Sequence, residues 1–193
     1  MPYGVSMEHT TLPKDGGLSL DPSGRVHVVA ASPASEPVTA LLAAWRAARP
    51  GTIELLHVGA APTDAPPDTT IAVDTEDLTA RLAARLGLAS VGVRVYIAGD
   101  EGFVRAASAV ALAAGLLPDE LRTEVTTSSA RRVWCSHCRE ITEGVTTTVT
   151  PCAGCGRTLE VFHHFSRRRG AYLGFQADAE APGELPEPEV AWP

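Results

Sequence analysis

The fold class this sequence predicts is an α/β domain, a parallel sheet with helices on both faces, followed by a small cysteine-stapled module. Three observations predict it. Apolar β-branched runs alternate with segments of helical period, four cysteines are confined to two Cys-x-x-Cys pairs, and the balance of charge reverses where the cysteines begin.

Arg25 to Ala31 (RVHVVAA) reads as a short buried strand, and after Ser32-Pro33 the stretch Val38 to Ala48 sets Val38, Leu41, Leu42 and Trp45 on one helical face. Pro50-Gly51 stops that helix. Thr52 to Val58 (TIELLHV) is a second strand, Ala60 to Asp68 a proline-rich loop, and Thr70 to Val73 a third strand. Asp74 or Thr75 is placed to cap a helix running to Leu86, because a short side-chain oxygen there accepts the orphan amides of the first turn and Leu78, Leu82 and Leu86 share one face. Val91 to Ala98 (VGVRVYIA) is a strongly apolar strand. Asp100 caps a helix through Phe103, Ala107, Val110, Ala114 and Leu117, and Leu121 to Val125 is the last strand. Apolar strands alternating with helices predict a parallel sheet covered on both faces. Ligands on such sheets bind beyond the carboxyl ends of the strands, here near Ala31 to Pro37 and Gly99 to Glu101.

The cysteines are Cys135-Ser-His-Cys138 and Cys152-Ala-Gly-Cys155, with thirteen residues between the pairs. Two such hooks turn backbone amides toward sulfur and let four thiolates converge tetrahedrally, which suits zinc or a single iron. Zinc is the preferred metal, although iron shares the ligands and spacing. Paired disulfides or four metal-free thiols are the alternatives; no cysteine lies outside the pairs, and such short loops are redox motifs more often than staples. Gly156 after the second pair permits the positive φ of a tight turn, whereas Arg139 after the first fits less well. His137 sits between two ligands, but four thiolates fill the shell, so it is expected to face solvent. The module reads as a zinc ribbon.

At 193 residues the chain has room for one domain and a small module. It holds no apolar run of membrane-spanning length, and Met1 to Asp21 lacks the basic-then-apolar order of a secretory signal, so the cytoplasm is the expected compartment. Thiols kept for metal agree with that. The organisation expected is an N-terminal extension over 1–20, the α/β domain over 21–129, the ribbon over 130–175 and an acidic proline-rich tail over 176–193.

The net charge of −7 is unevenly spread: residues 1–129 carry nine basic and fifteen acidic side chains, residues 130–170 seven and three, and residues 171–193 none and five. An acidic whole disfavours nonspecific nucleic-acid binding, although a basic ribbon could touch phosphate. Arg167, Arg168 and Arg169 read as a solvated face, paired with Asp178 and Glu180 of the tail. His163 and His164 lie next to each other on a strand expected over Thr158 to Phe165, so they point to opposite faces and cannot both serve one metal; one is expected to pack with Phe162 or Phe165. Tyr172 reads either as an interface anchor or as core. The tail's composition cannot build a core alone and suits ordering on a partner, with Trp192 as the docking point. No Gly-x-Ser-x-Gly elbow or HExxH helix is present, and no catalytic residue is assigned.

Residues 91–125 resemble the last strand, helix and strand of the nucleotide-binding module of ferredoxin reductases, and Val28 to Pro37 (VVAASPASEP) resembles that family's first strand and phosphate loop. The chain departs from the family where cofactor chemistry is expected. Ala31, Ser32 and Ala34 replace the loop glycines, Glu36 adds a negative charge, and the family's Cys-Gly-Pro turn becomes Gly99-Asp100-Glu101, whose carboxylates would occupy a helix start that otherwise attracts an anion. The resemblance implies a degenerate NAD(P)-binding-like scaffold that has lost its cofactor, without the flavin barrel of working reductases.

The segment Cys152 to Pro186 (CAGCGRTLEVFHHFSRRRGAYLGFQADAEAPGELP), with the preceding knuckle Cys135 to Cys138, resembles the end of the dimethylamine monooxygenase subunit DmmA family. That resemblance implies an accessory, structural or electron-transfer-supporting subunit of a multicomponent haem- and flavin-dependent enzyme that uses O2 and NADPH to convert dimethylamine to methylamine and formaldehyde. Haem, FMN, iron–sulfur and NADPH sites are then expected on partner subunits, and Cys135, Cys138, Cys152 and Cys155 are the only site residues carried over. The alternatives are a rubredoxin-like iron electron carrier and a stand-alone zinc-ribbon binding protein, including a nucleic-acid binder.

Overall fold

The computed structural model describes residues 15–190, Ala34 and Ala61 excepted, so the early segment, Ala34 of the phosphate-loop comparison and Trp192 lie outside the described residues. The chain forms two compact units, one over Asp15–Ser129 and one containing Ala130 onward.

The first unit is a five-stranded parallel sheet in the order β3-β2-β1-β4-β5, with β1 Val26–Ser32, β2 Thr52–Val58, β3 Thr69–Ala72, β4 Val93–Asp100 and β5 Leu121–Thr127. Three thirteen-residue helices connect them: α1 Glu36–Ala48, α2 Thr75–Gly87 and α3 Glu101–Ala113. The period of two along each strand divides the apolar run between the two faces. Val29, Ala31, Ile53, Leu55, Tyr96 and Ala98 meet Val38, Leu41 and Leu42 of α1 on one side. On the other, Val28, Ala30, Val95 and Ile97 meet Leu78, Leu82 and Leu86 of α2 and Phe103, Val104 and Ala107 of α3. Helices therefore cover both faces, as the alternating pattern predicts. Leu18 and Leu20, ahead of the first strand, pack on the α1 side, so this unit begins before Asp21.

Both expected caps form: Asp74 accepts from the Asp77 amide and Asp100 from the Phe103 amide. The third helix is shorter than its periodicity suggests. Gly115 takes φ +95°, its amide donates to Leu112 O, and the Leu116 amide donates to Ala111 O, the two bonds of a Schellman stop. Leu117 consequently lies beyond the helix and is exposed. Likewise β4 starts at Val93 rather than Val91, because Gly92 at φ +100° turns the chain just before it.

One buried polar network ties the chain before β1 to the sheet. The Asp21 amide donates to the Tyr96 hydroxyl, which lies 3.1 Å from His27 Nδ1, and His27 Nε2 lies 3.2 Å from Gly24 O. A carbonyl can only accept, so Nε2 carries the proton, and the tyrosine donates to a bare Nδ1. Burial is the largest influence on His27 and holds its pKa below the usual value, with Arg94 acting the same way and the Gly24 carbonyl and Asp21 opposing. A depressed folded pKa means that this stability is present above the unfolded value of about 6.5 and is lost as pH falls through the folded one. Thermal melts should therefore show His27→Gln destabilised at pH 8 and the gap to the parent closing by pH 5; a gap constant with pH would contradict the neutral-histidine assignment.

The second unit is a five-stranded sheet in the order β7-β6-β10-β9-β8, with β6 Arg131–Cys135, β7 Ile141–Val145, β8 Val149–Pro151, β9 Thr158–Ser166 and β10 Ala171–Gln176. The β6–β10 pair is parallel and the others antiparallel. Gly174 lets β10 lie flat against its neighbours, since an added Cβ would sit 2.7 Å from Val133 Cγ1 and 3.0 Å from Leu159 Cδ1. Tyr172 is core: it is buried, edge-on to Phe165 with ring centroids 5.1 Å apart, and its ring lies 4.2 Å from the Arg131 guanidinium.

Candidate metal centre

The two cysteine pairs sit on turns that leave β6 and β8. In the first, Arg139 N donates to Cys135 O and Cys135 N to Glu140 O; in the second, Gly156 N donates to Cys152 O and Cys152 N to Arg157 O. The turns are thus equivalent bond for bond. Both need a left-handed residue after the second cysteine, and Arg139 at φ 69° adopts what Gly156 takes at φ 71°. The misfit anticipated for Arg139 is met as backbone strain rather than as a different turn. Arg139→Gly should stabilise the folded protein by about 0.5–1 kcal/mol in chemical denaturation, because a Cβ in that region costs about 1–2 kcal/mol; a loss of stability would show that the arginine side chain matters more than its φ.

The four sulfurs lie within 4.8 Å of one another. Cys135 and Cys155 Sγ are 3.9 Å apart and Cys138 and Cys152 Sγ 3.5 Å, far beyond a covalent S–S bond of about 2.0 Å. Tetrahedral Zn–S bonds of about 2.3 Å imply sulfurs about 3.8 Å apart, so the donor set fits such an ion. Cys135 and Cys152 are buried, and Cys138 and Cys155 partly so. Gly154 allows this approach, since an added Cβ there would fall 2.7 Å from Glu140 Cβ and 3.2 Å from Cys138 Sγ.

Backbone amides also bias the protons. Burial pushes the Cys152 thiol up, but hydrogen bonds from the Cys155 and Gly154 amides and the neighbouring thiols outweigh it and bring the pKa down to about 6. For Cys138 the Glu140 amide favours the thiolate, yet burial and the other three thiols prevail and push it up to about 12. Cys152 is thus the readier thiolate of the two, and an entering cation would displace the Cys138 proton to solvent. His137 is exposed, as expected. His163 and His164 are both exposed, correcting the expectation that one packs inward: Phe165 pairs with Tyr172 and Phe162 with Phe175, and neither needs an imidazole.

The carboxyl edge of the parallel sheet is the other place where the sequence points to a ligand. The structure brings its two segments together, with Ser32 in register with Gly99, so closely that a Cβ on Gly99 would lie 2.4 Å from Ser32 O. Asp100 caps α3, while Glu101 turns inward, which its place in a helix-start turn does not reveal. Its carboxylate accepts from Ser128 Oγ at 2.5 Å and lies 3.6 Å from Arg105 Nε, which in turn is held bidentately by Asp15 at 2.7 and 2.9 Å. Burial raises the Asp15 pKa, but hydrogen bonds from Arg105 and Thr123 overcome that and leave it below the usual range. Glu101 therefore carries a compensated charge rather than a repulsive one. Asp15, Arg105, Thr123 and Ser128 are absent from the sequence-based candidates; the Glu101–Arg105 spacing of four on a helix was the available signal. Glu36 is exposed in the first turn of α1.

No helix among the described residues is long and apolar enough to cross a membrane. Two family models match the chain: "Dimethylamine monooxygenase subunit DmmA-like, N-terminal domain" over residues 9–121 and its C-terminal domain over residues 132–175. A curated protein of Ectopseudomonas mendocina (strain ymp), "Heme-dependent oxidative N-demethylase delta subunit", is 42% identical over 112 residues, which are 58% of this chain and 64% of that protein. The match thus spans a little under two thirds of the relative's length. Among solved structures, the ferredoxin reductase of carbazole 1,9a-dioxygenase is 22% identical at a TM-score of 0.41, covering 53% of this chain and 33% of that one. A type IV self-sufficient cytochrome P450 monooxygenase is 19% identical at a TM-score of 0.42, covering 65% and 19%.

Proposed function

This chain belongs to the dimethylamine monooxygenase subunit DmmA-like family, and from that premise we propose that it is an accessory subunit of a haem- and flavin-dependent oxidative N-demethylase acting on dimethylamine in the cytoplasm. The observation that carries the reading is the family match across both units, supported by the name of the 42% identical relative. In this reading the chain is not the catalyst; haem, FMN, iron–sulfur and NADPH sites belong to partner subunits, and this subunit holds or orients them. Four thiolate donors with sulfur spacings of 3.5 and 3.9 Å support a structural zinc held by Cys135, Cys138, Cys152 and Cys155. When bound, the ion supplies cross-linking of two knuckles rather than an open coordination position. The filled, charge-compensated carboxyl edge around Glu101 and Arg105 supports a scaffold role for the parallel sheet.

The test is to purify the chain with the haem and flavin subunits of its demethylase and to record metal content and absorption. One zinc per chain, stable co-purification, and loss of dimethylamine oxidation when this chain is omitted are expected. A red protein with thiolate-to-iron bands would replace the zinc assignment with an iron electron carrier. A chain that neither binds those subunits nor affects turnover would refute the subunit reading.

A further inference from the structure

The outer face of the ribbon sheet carries side chains that neither the metal centre nor the core uses. Phe162 and Phe175 meet edge to face with ring centroids 5.1 Å apart, yet they are 43% and 42% exposed. Phe175 stands opposite Glu160 across β9 and β10, and Leu173, two residues earlier on the same face, is in register with Trp134 of β6. The Arg169 guanidinium lies 4.3 Å over the Trp134 ring. Arg167 and Arg168 continue this edge in the exposed turn between β9 and β10, and neither belongs to an ion pair among the described residues.

The expected pairing of these arginines with the chain's own tail is not what forms. Asp178 accepts instead from Gln176 Nε2 at 2.7 Å and from the Gly183 amide at 3.1 Å. Farther on, the tail runs beside β8: Thr148 N donates to Glu189 O, Glu189 N donates to Thr148 Oγ1, and Val190 bridges Thr147. The acidic tail occupies the sheet edge and leaves the basic rim of the outer face to something else. Exposed edge-to-face aromatics with arginines on the same sheet are residue types that dominate protein interfaces.

We propose that this aromatic face, bordered by Arg167, Arg168 and Arg169, is the docking surface for an acidic, apolar-anchored segment of another subunit of the same assembly. Charge complementarity selects that occupant: Arg167, Arg168 and Arg169 are three consecutive cations at one end of this face, and Arg167 and Arg168 have no ion pair among the described residues, so although residues 130–193 carry seven basic and eight acidic side chains, this rim is where an acidic segment meets attraction rather than repulsion. The proposal rests on the subunit reading above.

Its test compares the full-length parent with two variants, Phe162→Ala/Phe175→Ala and Arg167→Glu/Arg168→Glu, for binding to the haem and flavin subunits. Unchanged thermal midpoints and metal content serve as the control for folding. Each variant should bind about tenfold or more weakly, and parent binding should weaken with added salt. If the parent binds none of the subunits, the subunit reading fails and the docking surface with it; if the parent binds and both folded variants bind equally well, the docking surface alone is overturned. A parent that forms a dimer dispersed by the phenylalanine pair would assign the face to a second copy, and oligo-dT bound by the parent and not by the arginine variant, with subunit binding unchanged, would assign it to nucleic acid. Both results would overturn the proposal.

Discussion

Cys152→Ser should abolish stoichiometric metal binding and unfold the ribbon. Serine's hydroxyl is neither ionised at neutral pH nor a soft donor, and the substitution removes a cysteine whose pKa the Cys155 and Gly154 amides bring below its usual value. The loss is large because the ribbon has little else. The cluster around the metal consists of Val133, Cys135, Val145, Cys152 and Leu159, joined by Cys138, Cys155 and Val161, so half of its members are the ligands themselves, and beside it the ribbon buries Phe165, Ala171 and Tyr172. A structural zinc in so small a core supplies apparent folding energy of about 10–16 kcal/mol at neutral pH. Removing the metal with a chelator should have the same consequence, faster as pH falls, since protons compete for the sulfurs. Metal content and the fluorescence of Trp134, followed in a Trp45→Phe, Trp192→Phe background, would report it. A serine variant with full metal content and unchanged fluorescence would show that the four sulfurs are not the ligand set.

The second large effect is expected at Arg105. Arg105→Met removes the cation that, among the described residues, contacts both Glu101, whose side chain is 5% exposed, and Asp15. Stranding a buried carboxylate costs about 3–5 kcal/mol, whereas exchanging a whole buried pair for apolar groups is often near neutral. The single variant should therefore lose about that much in chemical denaturation of the α/β unit, and Glu101→Leu/Arg105→Met should recover most of it. A single-variant loss below about 1 kcal/mol would show that water, rather than Arg105, compensates Glu101. The distinction matters for function: a cluster this costly to disturb is structural filling at the place where related sheets open to a ligand.

The parts legible in the sequence were those governed by local rules. The strand and helix periods around Val28, Leu82 and Val95 survive as the two faces of the sheet because a parallel strand buried on both sides needs an unbroken apolar run. Asp74 and Asp100 cap their helices because an Asp beside an orphan amide has a nearby partner whatever surrounds it. Four cysteines in two hooks were equally plain, since the knuckle is built from bonds within six residues. Periodicity failed at the end of α3, where Leu117 kept the helical spacing but Gly115 had already closed the helix.

Long-range choices were not readable. Glu101 looked like a second carboxylate at a helix start, and only Asp15, 86 positions earlier, and Ser128, 27 later, together with Arg105 reveal a closed ion network. Arg139 looked unsuited to its turn, yet the demands of the metal knuckle hold it at φ 69°. The arginine run and the acidic tail had complementary charge and were expected to pair, but backbone bonding to Thr148 carries the tail along β8 instead. By itself the sequence determined the class of both units and the four sulfur donors, because period, spacing and local caps are fixed by neighbours along the chain. Tertiary structure alone decided which charges are compensated, where the tail lies and which aromatics stay exposed, because each of those depends on desolvation by residues far away in sequence.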